Sequence, residues 1–421
     1  MAIRQMINNG KVEILTVGLN SYGGITMNFI FISPHFPINY WRFCRQLKKN
    51  GVNVLGIGDS AYDSLAYSLR DTLTEYYKVD SLDNYDQMVR AVAYFTFKYG
   101  KIDWLESNNE HWMLQDARLR TDFHITTGCE YEQMKLWQSK TKMKEYYRSA
   151  QVPAIECHQV MDREGCLAFI RRHQYPFIVK PDCGSGAKKT WKLKSEAEFD
   201  YFYETRPKDE RFIMEPFING MICAYDAIVD SKGEPIFEGG SVTPVSVLDC
   251  VNEKRDIWFY VEKQLPDDVR DAGRRCVKSF GVKSRFVHME FFRLNEDVDG
   301  VGKKGTIAGL EVNMRPCDGY MQDMLNYGNS TDVYRIWADM VAKDKCTLPE
   351  RPDQYYCIYI GRRDDKIYRH THQEVLSHFR AGITMSDRVL KVQSSTMGDQ
   401  MYIAKFETKA QMDEFVEYVL K

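Results

Sequence analysis

Long apolar runs are missing from this chain of 421 residues. No stretch approaches the ~20 consecutive apolar residues that a membrane-spanning helix needs, and residues 1–26 lack the apolar block of a secretory leader. An excess of one charge is missing too. Lys and Arg total 57 against 59 Asp and Glu, a net charge of −2, so the chain has no global bias toward nucleic acid. The 11 cysteines are scattered, with no Cys-x-x-Cys and no Cys/His cluster at zinc spacing. An odd, dispersed set fits reduced thiols in a cytoplasm. No internal repeat is visible, and Gly-Lys-Ser/Thr opening a helix, the mark of a P-loop, is absent. What remains is a globular chain with ordinary apolar content, long enough to bury two or three cores.

The strongest positive signal lies in two short runs, Phe286-Val-His-Met-Glu290-Phe-Phe and Gly309-Leu-Glu311-Val-Asn313-Met-Arg315-Pro. Alternation predicts two strands, with Glu290 set among apolar residues and Glu311 and Asn313 on one face, two residues apart. The polar, glycine-containing stretch 295–305 between them reads as a hairpin connection, so the strands are expected to pair and the three side chains to converge. Two carboxylates and an amide oxygen are hard ligands suited to Mg²⁺ held jointly with phosphate. Arg315 follows on the same face, where it could stabilise a developing anion. His288 shares the face of Glu290 and is read as structural. Cys317 stands beside the site with nothing marking it as a nucleophile.

A second run supports a phosphate site. Phe177-Ile-Val-Lys180-Pro reads as a strand ending in a lysine, and Asp182-Cys-Gly184-Ser185-Gly186-Ala-Lys-Lys follows as a glycine-rich turn. Glycines let backbone N–H groups approach phosphate oxygens closely. No helix begins at the second glycine, so this is not a dinucleotide fingerprint. A third run, Arg211-Phe-Ile-Met-Glu215-Pro-Phe-Ile218-Asn-Gly220, offers an extended backbone to which a planar base can hydrogen-bond.

Lys140, Lys180 with its glycine loop, Glu215-Pro-Phe-Ile218, Glu290 and Glu311-Val-Asn313-Met-Arg315 stand in the order and approximate spacing of the ATP-grasp superfamily, and the chain resembles its biotin carboxylase and carbamoyl-phosphate synthase-like branch over about residues 28–340. The resemblance implies that Lys140 and Lys180 hold the α- and β-phosphates of ATP, and that Gly184, Ser185 and Gly186 form a lid loop. It implies that Glu215 and Ile218 bind adenine through their backbones. Glu290 and Glu311 would bridge two Mg²⁺ (or Mn²⁺) ions, with Asn313 on one, and Arg315 would act on an acyl phosphate or tetrahedral intermediate. Two departures stand out. Ile222 replaces the acid that many relatives carry after the hinge, and Asn313-Met-Arg-Pro-Cys-Asp318-Gly319 replaces a commoner Asn-Pro-Arg-Pro pattern at the substrate rim.

Strand–helix alternation predicts a Rossmann-like domain over residues 27–125. Ligands favour the carboxyl ends of its strands, where Ser33, His35, Asp59 and Glu110 sit; a helix cap explains Glu110 equally well. The expected fold is α/β and α+β, multidomain. An extension without an assigned role (1–26) precedes the Rossmann-like pre-ATP-grasp domain. The ATP-grasp core covers 126–345 with a lid at about 152–212, and a small α+β appendage fills 346–421. Within that appendage strands are expected at 355–360, 389–392 and 401–405, and a helix at 409–420. The resemblance implies a carboxylate–amine (or thiol) ligase with small-molecule substrates, no nucleic acid, no membrane and a possible homodimer. The alternatives are carboxyphosphate or carbamoyl-phosphate chemistry from bicarbonate with a partner subunit, and a non-catalytic ATP-binding protein.

Overall fold

A computed structural model describes residues 3–8, 11–16, 26–184, 189–246, 250, 253–349 and 353–421. Ile3–Asn8 and Lys11–Thr16 pair as an antiparallel hairpin within the segment to which the sequence assigned no role. No helix among the described residues is long and apolar enough to cross a membrane.

Four parallel strands form the first domain, in the order Glu75–Lys78, Asn53–Gly58, Asn28–Ile32 and Trp104–Glu106. Asn28–Ile32 is buried throughout, so its alternation serves two different interfaces. Ile30 and Ile32 pack against Met88, Val92 and Phe95 of the helix Tyr85–Tyr99. Phe29 and Phe31 face the other way and meet Trp337 edge-on, at ring-centroid distances of 5.6 and 6.4 Å. Trp337 belongs to the helix Val333–Lys343, so the parallel domain buries its second face directly on the rest of the chain.

The segment expected to form the lid contains a four-stranded antiparallel sheet ordered His158–Gln159, Phe212–Pro216, Phe177–Pro181, Trp191–Leu193. It packs on the helices Arg163–His173 and Glu196–Thr205 around Phe169, Phe177, Phe199 and Phe212. Its last strand extends past the boundary expected at Phe212, because Phe212 and Met214 alternate into the lid's own core.

The largest sheet has eight antiparallel strands, ordered Ile307–Asn313, Arg285–Leu294, Gly220–Val229, Pro235–Thr243, Ile257–Val261, Tyr356–Arg362, Gln400–Phe406, Ile383–Arg388. The C-terminal strands therefore continue the central sheet by pairing with Ile257–Val261. The helix Lys409–Leu420 falls where the pattern placed it. The strand expected at 389–392 does not form, and Ile383–Arg388 pairs with Gln400–Phe406 instead. Alternation from the buried Val389 would have placed Lys391 on the core face and left Val392, 71% exposed, on the other, so that stretch turns into the helix Lys391–Met397.

A buried charge network ties the parallel domain to the central sheet. Glu106, at the end of a parallel strand, accepts from Arg120 at 3.2 Å and from Arg285 of the central sheet at 2.9 Å. Arg285 also donates to the Met314 carbonyl, and Arg120 to the carbonyls of Leu105 and Cys129. Removing one member strands the others in a low-dielectric interior. Arg285→Met is expected to cost about 3–5 kcal/mol, read as a lowered urea midpoint at unchanged slope.

Candidate active site

The strands Arg285–Leu294 and Ile307–Asn313 pair antiparallel as the sequence predicts, with Glu290 directly opposite Glu311 and His288 opposite Asn313. The register slips between Glu290 and Phe291, a local irregularity of the kind that re-aims side chains at functional sites. Glu311 is 3.7 Å from the Lys140 ammonium, while Glu290 is 3.3 Å from His288, whose other ring nitrogen lies 2.8 Å from Asp226. Burial opposes a charge on His288, but Cys317 and Asp226 outweigh it and hold the imidazole well above its ordinary range. The two facing carboxyls are thereby driven apart. Burial and the charge of Glu290 outweigh Lys140 and raise Glu311. Glu290 is lowered despite burial, because His288 bonds it and Lys180 adds its field.

Lys140 opens the helix Lys140–Ser149. Ser139 caps that helix, and Asp182 ties it to the lid by accepting from the Ser139 hydroxyl at 2.9 Å and the Thr141 N–H at 2.9 Å. The Lys140 ammonium also donates to the Gly184 carbonyl. Ser185 and Gly186 of the expected lid loop lie outside the described residues.

Glu215 holds a position that the sequence did not reveal. Its carboxylate is buried between two lysines, Lys180 at 2.7 Å and Lys144 at 2.8 Å. Burial alone would raise its pKa, but the two ammonium groups pull it down to about 2. Burial also opposes the charge on Lys180, which Glu215 and Glu311 nevertheless hold above its usual range. Lys144 is pushed below its own. Beyond Met214 the pairing with His158–Gln159 ends and leaves that edge of the strand without a strand partner. The Ile218 side chain packs with Ile155 and Leu294.

Arg315 is buried and already paired. It donates to Glu110 at 3.2 Å, to Asp318 at 3.0 Å and to the Pro316 carbonyl at 2.7 Å. Glu110 also accepts from Gln138 at 3.1 Å, and the helix Met113–Asp122 has no side-chain cap, so the capping alternative for Glu110 falls away. Asp323, the other acid within sequence reach of Arg315, pairs with Arg42 at 2.6 Å. At the carboxyl edge of the parallel sheet, His35 and Asp59 pair at 3.3 Å.

Among the described residues, no group of three or more His, Cys, Asp or Glu side chains is arranged to hold a metal alone. Two facing carboxylates and one amide instead fit a hard cation whose remaining ligands are phosphate oxygens. Lys140 lies 3.7 Å from Glu311, and the charge of Glu311 also acts on Lys180.

No protein-family model and no curated protein matches the chain. Solved structures do. An L-amino acid ligase from Bacillus licheniformis superposes with a TM-score of 0.67 at 11% identity, covering 94% of this chain and 98% of that one. An N5-carboxyaminoimidazole synthetase from Staphylococcus aureus, complexed with ADP, gives 0.68 at 12% identity over 94% and 97%. The biotin carboxylase domain of Hydrogenobacter thermophilus 2-oxoglutarate carboxylase, complexed with MgADP and bicarbonate, gives 0.66 at 14% identity over 94% and 90%.

The fold is the ATP-grasp fold.

Within the ATP-grasp fold, Lys140, Lys180, Glu215, Glu290, Glu311 and Arg315 lie in one connected set of charges, and Asn313 stands two residues from Glu311 on the same strand. Sequence reading passed over Lys144, Asp182, Asp226 and Tyr147. One signal was available for two of them: Lys144 and Tyr147 follow Lys140 at four and seven residues, one face of the helix.

The depressed Glu215 pKa makes a pH prediction. Its folded value of about 2 lies below its ordinary 4.5, so the stabilisation is present above about pH 4.5 and lost as pH falls toward 2. A shift of that size corresponds to about 3 kcal/mol. Glu215→Gln should be destabilised by that order at pH 7, and the gap from wild type should narrow in denaturant titrations repeated down to pH 3.

Proposed function

We propose that this protein is an ATP-dependent ligase that joins a small carboxylic acid to an amine, or to a thiol, through an acyl phosphate. The observation that carries the reading is the cross-strand opposition of Glu290 and Glu311, with Asn313 beside them and Lys140 and Lys180 facing them. A Mg²⁺ held by Glu290, Glu311 and Asn313 would neutralise phosphate oxygens of ATP. Lys140 and Lys180 would grip the α- and β-phosphates, with Glu215 keeping the Lys180 ammonium in place. The open edge after Met214 would take adenine. Phosphoryl transfer of this kind is mostly positioning and electrostatics, and these groups are fixed on strands and on one helix. A substrate carboxylate oxygen would attack the γ-phosphorus, breaking its bond to the β–γ bridging oxygen and releasing ADP. The amine would then add to the acyl carbon, and phosphate would leave.

Arg315 is suited to the anion that develops at the acyl carbon, because Glu110 and Asp318 hold its fork in one orientation. The lid would exclude water from the acyl phosphate. The solved neighbours support the reading: they include an L-amino acid ligase and an N5-carboxyaminoimidazole synthetase, and two of their complexes contain ADP. The 2-oxoglutarate carboxylase domain is a dimer, and a homodimer belongs to the same proposal.

The decisive assay is Mg²⁺-dependent release of ADP and phosphate across a panel of amino acids, small carboxylates, bicarbonate and amines. Release is expected to need one acid and one nucleophile, and to disappear in Glu311→Ala. Arg315→Lys should lower kcat about 10²–10³-fold. Stimulation by bicarbonate without an organic acid would move the reading to carboxyphosphate chemistry. Metal-dependent ATP binding without turnover on any pair would count against a ligase.

A further inference from the structure

The helix Lys140–Ser149 buries Lys140, Lys144 and Tyr147, spaced so that they share a face. Lys140 reaches the Glu311 carboxylate and Lys144 reaches the Glu215 carboxylate. Tyr147 does something different. Its hydroxyl lies 2.9 Å from the Glu311 carbonyl oxygen and 3.1 Å from the Glu290 carbonyl oxygen. A buried tyrosine hydroxyl needs a hydrogen-bond partner. This one shares its proton between the main chains of the two carboxylate residues that face each other across the ladder, at the point where the register slips.

The ring cannot drift. Phe280 and Phe291 meet it edge-on at 5.5 and 5.8 Å. Gly309, in the same strand as Glu311, passes flat against it: a Cβ there would come within 2.4 Å of the ring. The strand can run this close only because that position carries no side chain. The hydroxyl is therefore a fixed point behind the strand pair, and the two carboxylates stand on the backbone it holds.

We propose that Tyr147 is a positioning residue for the metal site. By bridging the main-chain oxygens of Glu290 and Glu311, it sets how the two carboxylates face each other, so affinity for a divalent cation depends on a hydroxyl that never touches the ion. The inference rests on the metal site of the ligase reading and deepens it. A tyrosine that only filled the core would affect stability, or nucleotide and metal affinity together, without singling out the metal.

Tyr147→Phe removes one oxygen and keeps the ring packing. Mn²⁺ would be titrated by electron paramagnetic resonance at saturating ADP, and ADP affinity would be measured separately by calorimetry without metal. The variant is expected to need roughly tenfold more Mn²⁺ for half-saturation, the range for a group that orients a metal ligand from behind, with metal-free ADP affinity unchanged. Tyr146→Phe, whose ring stacks on Phe280 and whose hydroxyl meets Gln133, should match wild type in both. Unchanged Mn²⁺ uptake in Tyr147→Phe overturns the inference, as does an equal loss of both affinities. If wild type takes up no Mn²⁺ with ADP, the metal reading falls and this inference with it. Wild-type uptake with an unmoved variant defeats this inference alone.

Discussion

Glu290 and Glu311 sit directly across a strand pair from each other, and like charges so placed repel. Much of the cleft's architecture makes that pairing tolerable. Lys140 stands against one carboxylate and His288 against the other, with Asp226 buried behind the imidazole. The facing acids consequently titrate apart, one raised and one lowered.

The other buried charges nearby are likewise paired. Two ammonium groups share Glu215, and one guanidinium is shared by Glu110 and Asp318. Buried charges left alone would cost several kcal/mol each. Paired, they are held in fixed orientations. The helix Lys140–Ser149 brings these parts together, touching Asp182, Glu215 and, through Tyr147, the two strands that carry Glu290 and Glu311.

Packing between units sets the rim. Phe29 and Phe31 lock the parallel sheet onto Trp337. Asn39 donates to the Gly319 carbonyl at 3.1 Å and Arg42 pairs with Asp323, so the segment after Arg315 is pinned from the parallel domain. On the far side, Arg363 donates to carbonyls of Cys250, Arg255, Ser394 and Ser395, fastening the C-terminal strands to the stretch before Ile257–Val261. The appendage is thus part of the same sheet and the same support.

Local pattern determined a good deal by itself. Period-two alternation was enough for the two carboxylate strands, their pairing and the shared face of Glu311 and Asn313, because a half-buried strand writes its facing into every second residue. Alternating strands and helices were enough for the parallel domain. Where alternation was short it misled, as at Val389–Val392, since four residues cannot record whether a sheet edge lies beside them. Tertiary structure alone decided which charges meet. Glu215 reads as a hinge residue in sequence and becomes a buried counter-ion only when Lys144 and Lys180 arrive from a helix and another strand. Asp226 and Tyr147 look like ordinary strand and helix residues until the fold sets one behind His288 and the other behind two carbonyls. Pairings between distant segments depend on distance in space, and a residue's sequence neighbours carry no record of that distance.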